Sequence, residues 1–528
     1  MHTWLYKNLQ KFKVADCILL SLLLIFFYKI FNGSYIFGDD FSEIYFHKDL
    51  NIVEFFGQDL HHIRRYLFGL PNYFGLFWSF VIFGDELLFG YAIIKAIAHI
   101  ICIFLVYKFF LIYLSPRRSF IAALLFIFLP THDVTQHWYM TLAYIISPAL
   151  LLYSYYLVSK RRFFLSFICS VFGIFFFYVS PPFFLTLALL LLYKKKYAES
   201  LIYILPGLSY IFYYFLVQSI VLVSDPTGGR ISGDIQFFEI LINLPIQALT
   251  MLEASIGFSA LIKFYNAIIS VDFLDVCTSI LIGLFCYFSL AHESSKNDFR
   301  SLDLILLGVG FLLLSIIMYS FTGSNWHNSI NLSNRSLIYS SFLIVIFFLH
   351  FFQSREGISV LMAIIFLANL GLANHWHDWS RKQQEIIANV EAHKIYQVVD
   401  QNDLLIVKGG LYSKFGNYEN IEFLVSPWIA DAIFNKVSAK ILPLTSYLSI
   451  KNNILLDLKW DDNYQLIGNQ IYLYDVSLNN IRALSKEELA IEIENTEPPM
   501  RHWFQQYKES WVAKKISEII PSLGYLFK

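Results

Sequence analysis

Long apolar runs broken by short charged stretches dominate this chain. About eleven runs approach the roughly 20 residues needed to cross a ~30 Å hydrocarbon core. They lie near 14–31, 87–114, 119–131, 138–158, 163–180, 182–193, 200–223, 271–292, 303–321, 336–353 and 358–374. The pattern predicts a polytopic α-helical membrane protein. Two of the intervening stretches carry helical periodicity of their own. Phe56, Leu60, Ile63, Leu67 and Leu70 recur at four- and three-residue steps, with His61, Arg64 and Arg65 on the other face. That stripe predicts a helix lying in the membrane interface. A second amphipathic stretch, 235–258, follows the turn signal Ser224-Asp225-Pro226-Thr227-Gly228-Gly229-Arg230. The Gly-Gly-Arg is not a phosphate loop, because the Lys-Ser/Thr and the preceding strand are missing.

The pattern changes near residue 375. A polar helical stretch, 376–394, leads into short strand-like runs at 403–407 and 454–458. The runs 464–467 and 471–474 flank Gly468-Asn469-Gln470 as a predicted hairpin. A helix is predicted over 426–439, and 503–527 is amphipathic and aromatic, a composition that could rest on the membrane. The expected domains are thus 1–374, a transmembrane domain that includes the loop 32–86, and 375–528, a small α/β domain. No internal repeat of 20–50 residues is apparent.

Charge orients this frame. Basic clusters occur at Lys7, Lys11 and Lys13, at Arg117-Arg118, Lys160-Arg161-Arg162 and Lys194-Lys195-Lys196, and at Lys296, Arg300 and Arg355. Eleven spans put all of them on one side, which the positive-inside rule makes cytoplasmic. The loops 32–86, 131–137, 224–270 and 322–335 and the domain 375–528 are then expected outside the cytoplasm. The basic N-terminus before the first run, with no small-residue cleavage site, reads as an uncleaved signal-anchor.

Composition changes this picture little. The chain is 57% hydrophobic with a net charge of −1, and no nucleic-acid partner is expected. The five cysteines, Cys17, Cys102, Cys169, Cys277 and Cys286, lie in apolar runs without a CxxC, so they imply neither a disulfide framework nor a zinc site.

The chemistry concentrates after the first run, in Tyr35-Ile36-Phe37-Gly38-Asp39-Asp40-Phe41. Carboxylates at a bilayer edge are costly and commonly serve chemistry or ion handling. An acidic pair after span one, an interfacial helix in the same loop and a C-terminal outer domain occur together. On those features the chain resembles the glycosyltransferase superfamily with the GT-C fold, in particular its bacterial polyprenyl-phosphate-sugar-dependent, protein mannosyltransferase-like members. The resemblance is strongest over 14–160. It implies a multi-pass protein of the bacterial cytoplasmic membrane. It also implies inverting transfer of a sugar from a polyprenyl-phosphate donor to an envelope glycan, lipid or protein on the outer face, with a first-loop Asp as base. The family often has Asp-Glu where this chain has Asp-Asp, which leaves open which carboxylate acts. The physical requirements are a carboxylate to activate the acceptor oxygen and positive charge for the leaving phosphate.

Asp39 aligns with the first acid of the motif and Asp40 is its neighbour. Asp133, in Pro130-Thr131-His132-Asp133-Val134-Thr135-Gln136-His137, is a further acid candidate, and His132, Asp133 and His137 could together hold a divalent metal. Arg335 is a lone arginine at an outer end, suited to phosphate in fork geometry or to snorkelling toward headgroups. Arg64 and Arg65 carry the same alternatives. Lys95, one turn from His99 inside a span, could also reach the donor phosphate. Asn325-Trp326-His327-Asn328 has a sugar-contact composition, or is an interfacial anchor. Two other readings stay open: a surface-polysaccharide polymerase, and a transporter or flippase of lipid-linked sugars. One-sided polar candidates and the lack of a repeat weigh against transport.

Overall fold

The computed structural model describes residues 14–32, 36–47, 87–224, 237–290, 302–322 and 327–528, apart from 394, 410, 414, 416–417, 419–420, 459–461, 467–469, 498–499, 520, 525–526 and 528. Arg64, Arg65, the stripe from Phe56 to Leu70, residues 225–230 of the predicted turn and Trp326 lie outside the described residues. The chain divides into two compact units. The helical unit comprises Met1–Ser34, Phe56–Ser329 and Ser333–Trp376; the α/β unit comprises Tyr35–Phe55, Ile330–Leu332 and His377–Lys528. The expected continuous domain 1–374 is therefore interrupted, because the acidic turn after the first helix groups with the C-terminal residues.

The helical unit is built from α1 (Val14–Phe31), α3 (Leu87–Phe110), α4 (Pro116–Ile127), α5 (Ala143–Ser159), α6 (Phe163–Phe175), α7 (Ser180–Tyr193), α8 (Tyr197–Ser224), α9 (Phe237–Ile256), α10 (Phe258–Ile269), α11 (Phe273–Leu290), α12 (Leu302–Thr322) and α13 (Ile338–Phe351). A small helix, α2 (Asp40–His47), belongs to the other unit. Eight helices among the described residues are long and apolar enough to cross a membrane. One of them revises the expectation for 224–270. Ile240–Ile269 has the length and hydropathy of a span, where an outer loop was expected. The stretch 235–258 reads as amphipathic in sequence, and within this run Met251, Ala254 and Ala267 are buried. The last helix, α14 (Arg355–Ala392), joins the predicted span 358–374 and the polar stretch 376–394 without a break.

The basic clusters have a local structural role as well. At the end of α5, Lys160 is the C-cap and Arg161 adopts φ +56°, with Arg162 N donating to Leu157 O and Arg161 N to Val158 O. Lys194-Lys195-Lys196 repeats this at the end of α7, with Lys195 at φ +57°. Both are Schellman closures, and both use cations where a helix C-terminus concentrates negative potential. Elsewhere α10 and α14 cross at Gly371, where an added Cβ would fall 1.8 Å from Ala267 O. Only glycine permits that approach, a device common where helices pack closely in membranes.

In the α/β unit β1 (Leu404–Lys408) has four of its five residues buried, as a strand covered on both faces should. It pairs in parallel with β4 (Lys440–Pro443) and β8 (Ile471–Asp475), and β9 (Asn480–Leu484) adds antiparallel to β8. Two short strands, β2 (Leu411–Tyr412) and β3 (Ile421–Glu422), pair with each other. A three-stranded antiparallel sheet contains β5 (Leu448–Lys451), β6 (Ile454–Asp457) and β7 (Asp462–Gln465). The predicted hairpin of 464–467 with 471–474 is thus not formed. The buried β8 takes β1 and β9 as neighbours, while the more exposed β7 pairs with β6. The helix predicted over 426–439 is shorter: α15 (Pro427–Ile433) ends before β4, whose buried Ile441 and Leu442 join the sheet core. α16 (Lys486–Glu494) opens with a capping box between Ser485 and Glu488. The chain continues to α17 (Trp511–Ile519).

Candidate functional site

The predicted site residues fall into two groups, one in each unit. In the α/β unit Gly38 adopts φ +53°, and Asp40 N donates to Phe37 O and Phe41 N to Gly38 O. The resulting turn starts α2. Asp40 is 1% exposed, and its Oδ2 accepts from Phe37 N at 3.3 Å, so this carboxylate closes the turn that precedes its own helix. Asp39 is half-buried. Its carbonyl accepts from Ser42 Oγ at 2.8 Å, and its Oδ1 accepts from Trp428 Nε1 at 2.8 Å. Its Oδ2 accepts no hydrogen bond from the described residues. The turn therefore gives two adjacent carboxylates opposite assignments, one folded inward and one held, among the described residues, by a single side-chain donor.

Trp428 was invisible to sequence reasoning as a site residue. It stands on α15, set one residue behind Pro427 at the first helical position, where proline's fixed φ and missing N–H are tolerated. α15 packs on α2, and Phe41 meets Phe423 at 5.4 Å between ring centroids. One turn beyond Trp428, burial raises the Asp431 carboxyl above the usual carboxylate range, with Lys440 partly offsetting it.

The helical unit holds Asp133. It is almost fully buried, and both oxygens are occupied. Oδ1 accepts from Lys263 Nζ at 2.6 Å and from Asn334 Nδ2 at 2.6 Å, and Oδ2 accepts from Trp376 Nε1 at 2.7 Å. Lys263 also donates to Ser329 O at 2.7 Å and, more weakly, faces Thr131 O at 3.5 Å. The Gly371 crossing brings Lys263 of α10 and Trp376 of α14 to this point. Trp376 also stacks on His137 at 5.2 Å, and the His137 carbonyl accepts from Lys95 Nζ at 2.7 Å.

This network changes several expectations. Asp133 is a buried tie between loops and helices, with both of its oxygens engaged in hydrogen bonds. His132 uses both ring nitrogens, with Thr135 Oγ1 at 3.0 Å and Phe126 O at 3.0 Å. Among the described residues no group of three His, Cys, Asp or Glu is placed to hold a metal ion, so His132, Asp133 and His137 do not assemble the expected centre. Lys95 is fully buried and engages the His137 carbonyl, which ties α3 to the 130–137 segment rather than presenting an ammonium to a phosphate. Lys263 was missed because it sits in a stretch read as an outer loop. Its signal was a lone lysine within the apolar run Phe258–Ile269.

Arg335 is separate from this tie. It is half-buried, donates through Nε to Tyr144 Oη at 3.1 Å, and lies over the rings of Trp138 at 5.4 Å and Tyr144 at 5.8 Å. Tyr144 Oη in turn shares a 2.6 Å hydrogen bond with Tyr178 Oη. The guanidinium thus lies over two aromatic rings, a cation–π arrangement.

No protein-family model, curated protein or solved structure matches the chain.

Proposed function

We propose that this protein is an integral-membrane glycosyltransferase of the GT-C type. It moves a sugar from a polyprenyl-phosphate donor to an envelope glycan, lipid or protein on the outer face of the bacterial cytoplasmic membrane. The observation that carries the reading is the state of Asp39. Its carboxylate is half-buried and oriented by one indole N–H, and its Oδ2 accepts no hydrogen bond from the described residues, which suits a general base. Asp39 rather than Asp40 takes the base role, because Asp40 is committed to the turn.

In this mechanism Asp39 Oδ2 accepts the proton of the acceptor hydroxyl as its oxygen attacks the anomeric carbon. The bond from that carbon to the phosphate oxygen breaks, and polyprenyl phosphate leaves with the bonding pair. One displacement inverts the anomeric centre, so no covalent enzyme intermediate is needed. Arg335 is held in the helical unit with its guanidinium over aromatic rings, and a guanidinium is of the chemistry that suits a phosphate.

The second reading is a flippase or transporter of lipid-linked sugars. The buried Asp133–Lys263 pair favours it, since ionisable residues inside helical membrane bundles often serve transport. Purified wild type, Asp39→Asn and Asp40→Asn are compared for transfer from a panel of polyprenyl-phosphate sugars to native envelope acceptors. Transfer by wild type that is lost in Asp39→Asn with donor binding kept supports the first reading. Undiminished transfer in Asp39→Asn overturns the base assignment. Lipid crossing the bilayer without transfer by any form moves the protein to the second reading.

A further inference from the structure

Among the described residues, exposed large apolar side chains in the α/β unit are scattered, except in one segment. Val398, Tyr447, Leu458, Leu478 and Ile491 stand far apart in sequence, whereas Tyr507, Trp511, Val512 and Ile519 fall within thirteen consecutive residues. Trp511 is 76% exposed and Ile519 69%. On α17, at about 100° per residue, Trp511, Lys515, Ile519 and Val512 share one arc of roughly 100°, with Ala513 on the far side. Ala513 is the buried position, 1% exposed, so the helix rests on its unit through Ala513 and turns Trp511, Val512 and Ile519 outward.

We infer that α17 is an interfacial membrane helix, and that the surface it docks on is the lipid bilayer. A bilayer is the surface this chain already calls for, since eight helices among the described residues are long and apolar enough to cross one. The side chains suit that surface. Tryptophan favours the border of hydrocarbon and headgroups, and Val512 and Ile519 supply aliphatic contact below it. Lys515 lies within the apolar arc, and a lysine there lays its methylenes along the apolar surface and lifts its ammonium to the headgroups. Lys515 pairs with Glu518 at 2.9 Å and Lys514 with Glu509 at 3.0 Å, so the apolar arc rather than net charge carries the contact. The inference does not depend on the enzyme reading.

The test uses the full chain in lipid nanodiscs, with an environment-sensitive fluorescent amino acid encoded at position 512, and separately at 519 and 478. Leu478 is 74% exposed in the turn between β8 and β9 and serves as the water-facing control. Expected are blue-shifted emission at 512 and 519, loss of most of that emission when nitroxide-labelled lipids are included, and no change at 478. Water-like emission at 512 that ignores the nitroxide lipids overturns the inference. Blue-shifted emission without lipid quenching overturns it too, because the face is then covered by protein. Trp511→Ser with Ile519→Ser, read by the same reporter at 512, is expected to reduce the quenching. Full quenching in that variant would show that another part of the chain brings the reporter to the lipid.

Discussion

Asp133 and Asp39 are both carboxylates that sequence reasoning placed at the outer edge of the membrane, and they are held in opposite ways. Asp133 takes three hydrogen bonds, including a buried lysine, and reaches almost no solvent. Asp39, among the described residues, takes one on its carboxylate, from an indole, and its Oδ2 accepts none. A buried charge is tolerable only when it is paired and its remaining lone pairs are satisfied, and once that holds, the group has nothing left for a ligand. A carboxylate meant to take a proton needs the reverse: orientation from a few donors and one reachable oxygen. Saturation of the acid, rather than its position in the chain, separates the tie from the proposed base.

The sharpest break of this comparison is Asp39→Asn against Asp133→Asn. The first is expected to lower transfer by about 10²–10⁴-fold, the range of a lost general base, with thermal unfolding unchanged. The second is expected to lower stability by about 3–5 kcal/mol, because it strands the Lys263 ammonium in the bundle. Thermal unfolding in detergent measures it. If Asp133→Asn unfolds like wild type, the tie is not carrying the bundle. Adding Lys263→Met to Asp133→Asn removes the stranded charge. The double variant is expected to recover most of the loss, since replacing both members of a buried pair is often close to neutral.

The apolar runs made the helical class plain in the sequence, and Gly38-Asp39-Asp40 stood out because paired acids beside a membrane run are rare. The partners did not stand out. Trp428 lies 389 residues from Asp39, and no periodicity links an indole on α15 to a turn after α1. Lys263 and Trp376 meet Asp133 only because Gly371 lets α10 and α14 touch, a fact carried by a missing Cβ. The C-terminal strands were legible as strands but not in their pairing. Burial on two faces decided that β8 sits between β1 and β9, and a local hairpin signal could not weigh it.

Trp428→Phe is expected to act on Asp39 without touching it. The ring and its packing stay, and the N–H to Oδ1 goes. Losing one hydrogen bond to a charged acceptor, worth about 1.5–3 kcal/mol, predicts roughly a ten-fold or greater fall in turnover. Apparent donor affinity should be kept, and thermal unfolding should be close to wild type. A fall in donor affinity with turnover intact would instead place Trp428 at the donor.

The smallest expected effect guards that result. A drop in Trp428→Phe could follow from any loosening of the α/β unit, so a variant is needed that loosens the unit elsewhere. Ser485→Ala removes the N-cap of α16, where Ser485 Oγ accepts from Glu488 N at 3.1 Å. Its expected cost is about 1 kcal/mol, read as earlier loss of hydrogen-exchange protection in α16. Leu489, in the first turns of that helix, packs in the sheet core with Leu404 and Ile471, so the loss reaches the same unit that carries Trp428. If Asp39 depends on one indole N–H, Ser485→Ala leaves transfer unchanged at temperatures where the unit stays folded. If it depends on the general rigidity of the unit, Ser485→Ala and Trp428→Phe slow transfer together, and the contrast between the open and the saturated carboxylate loses its mechanism.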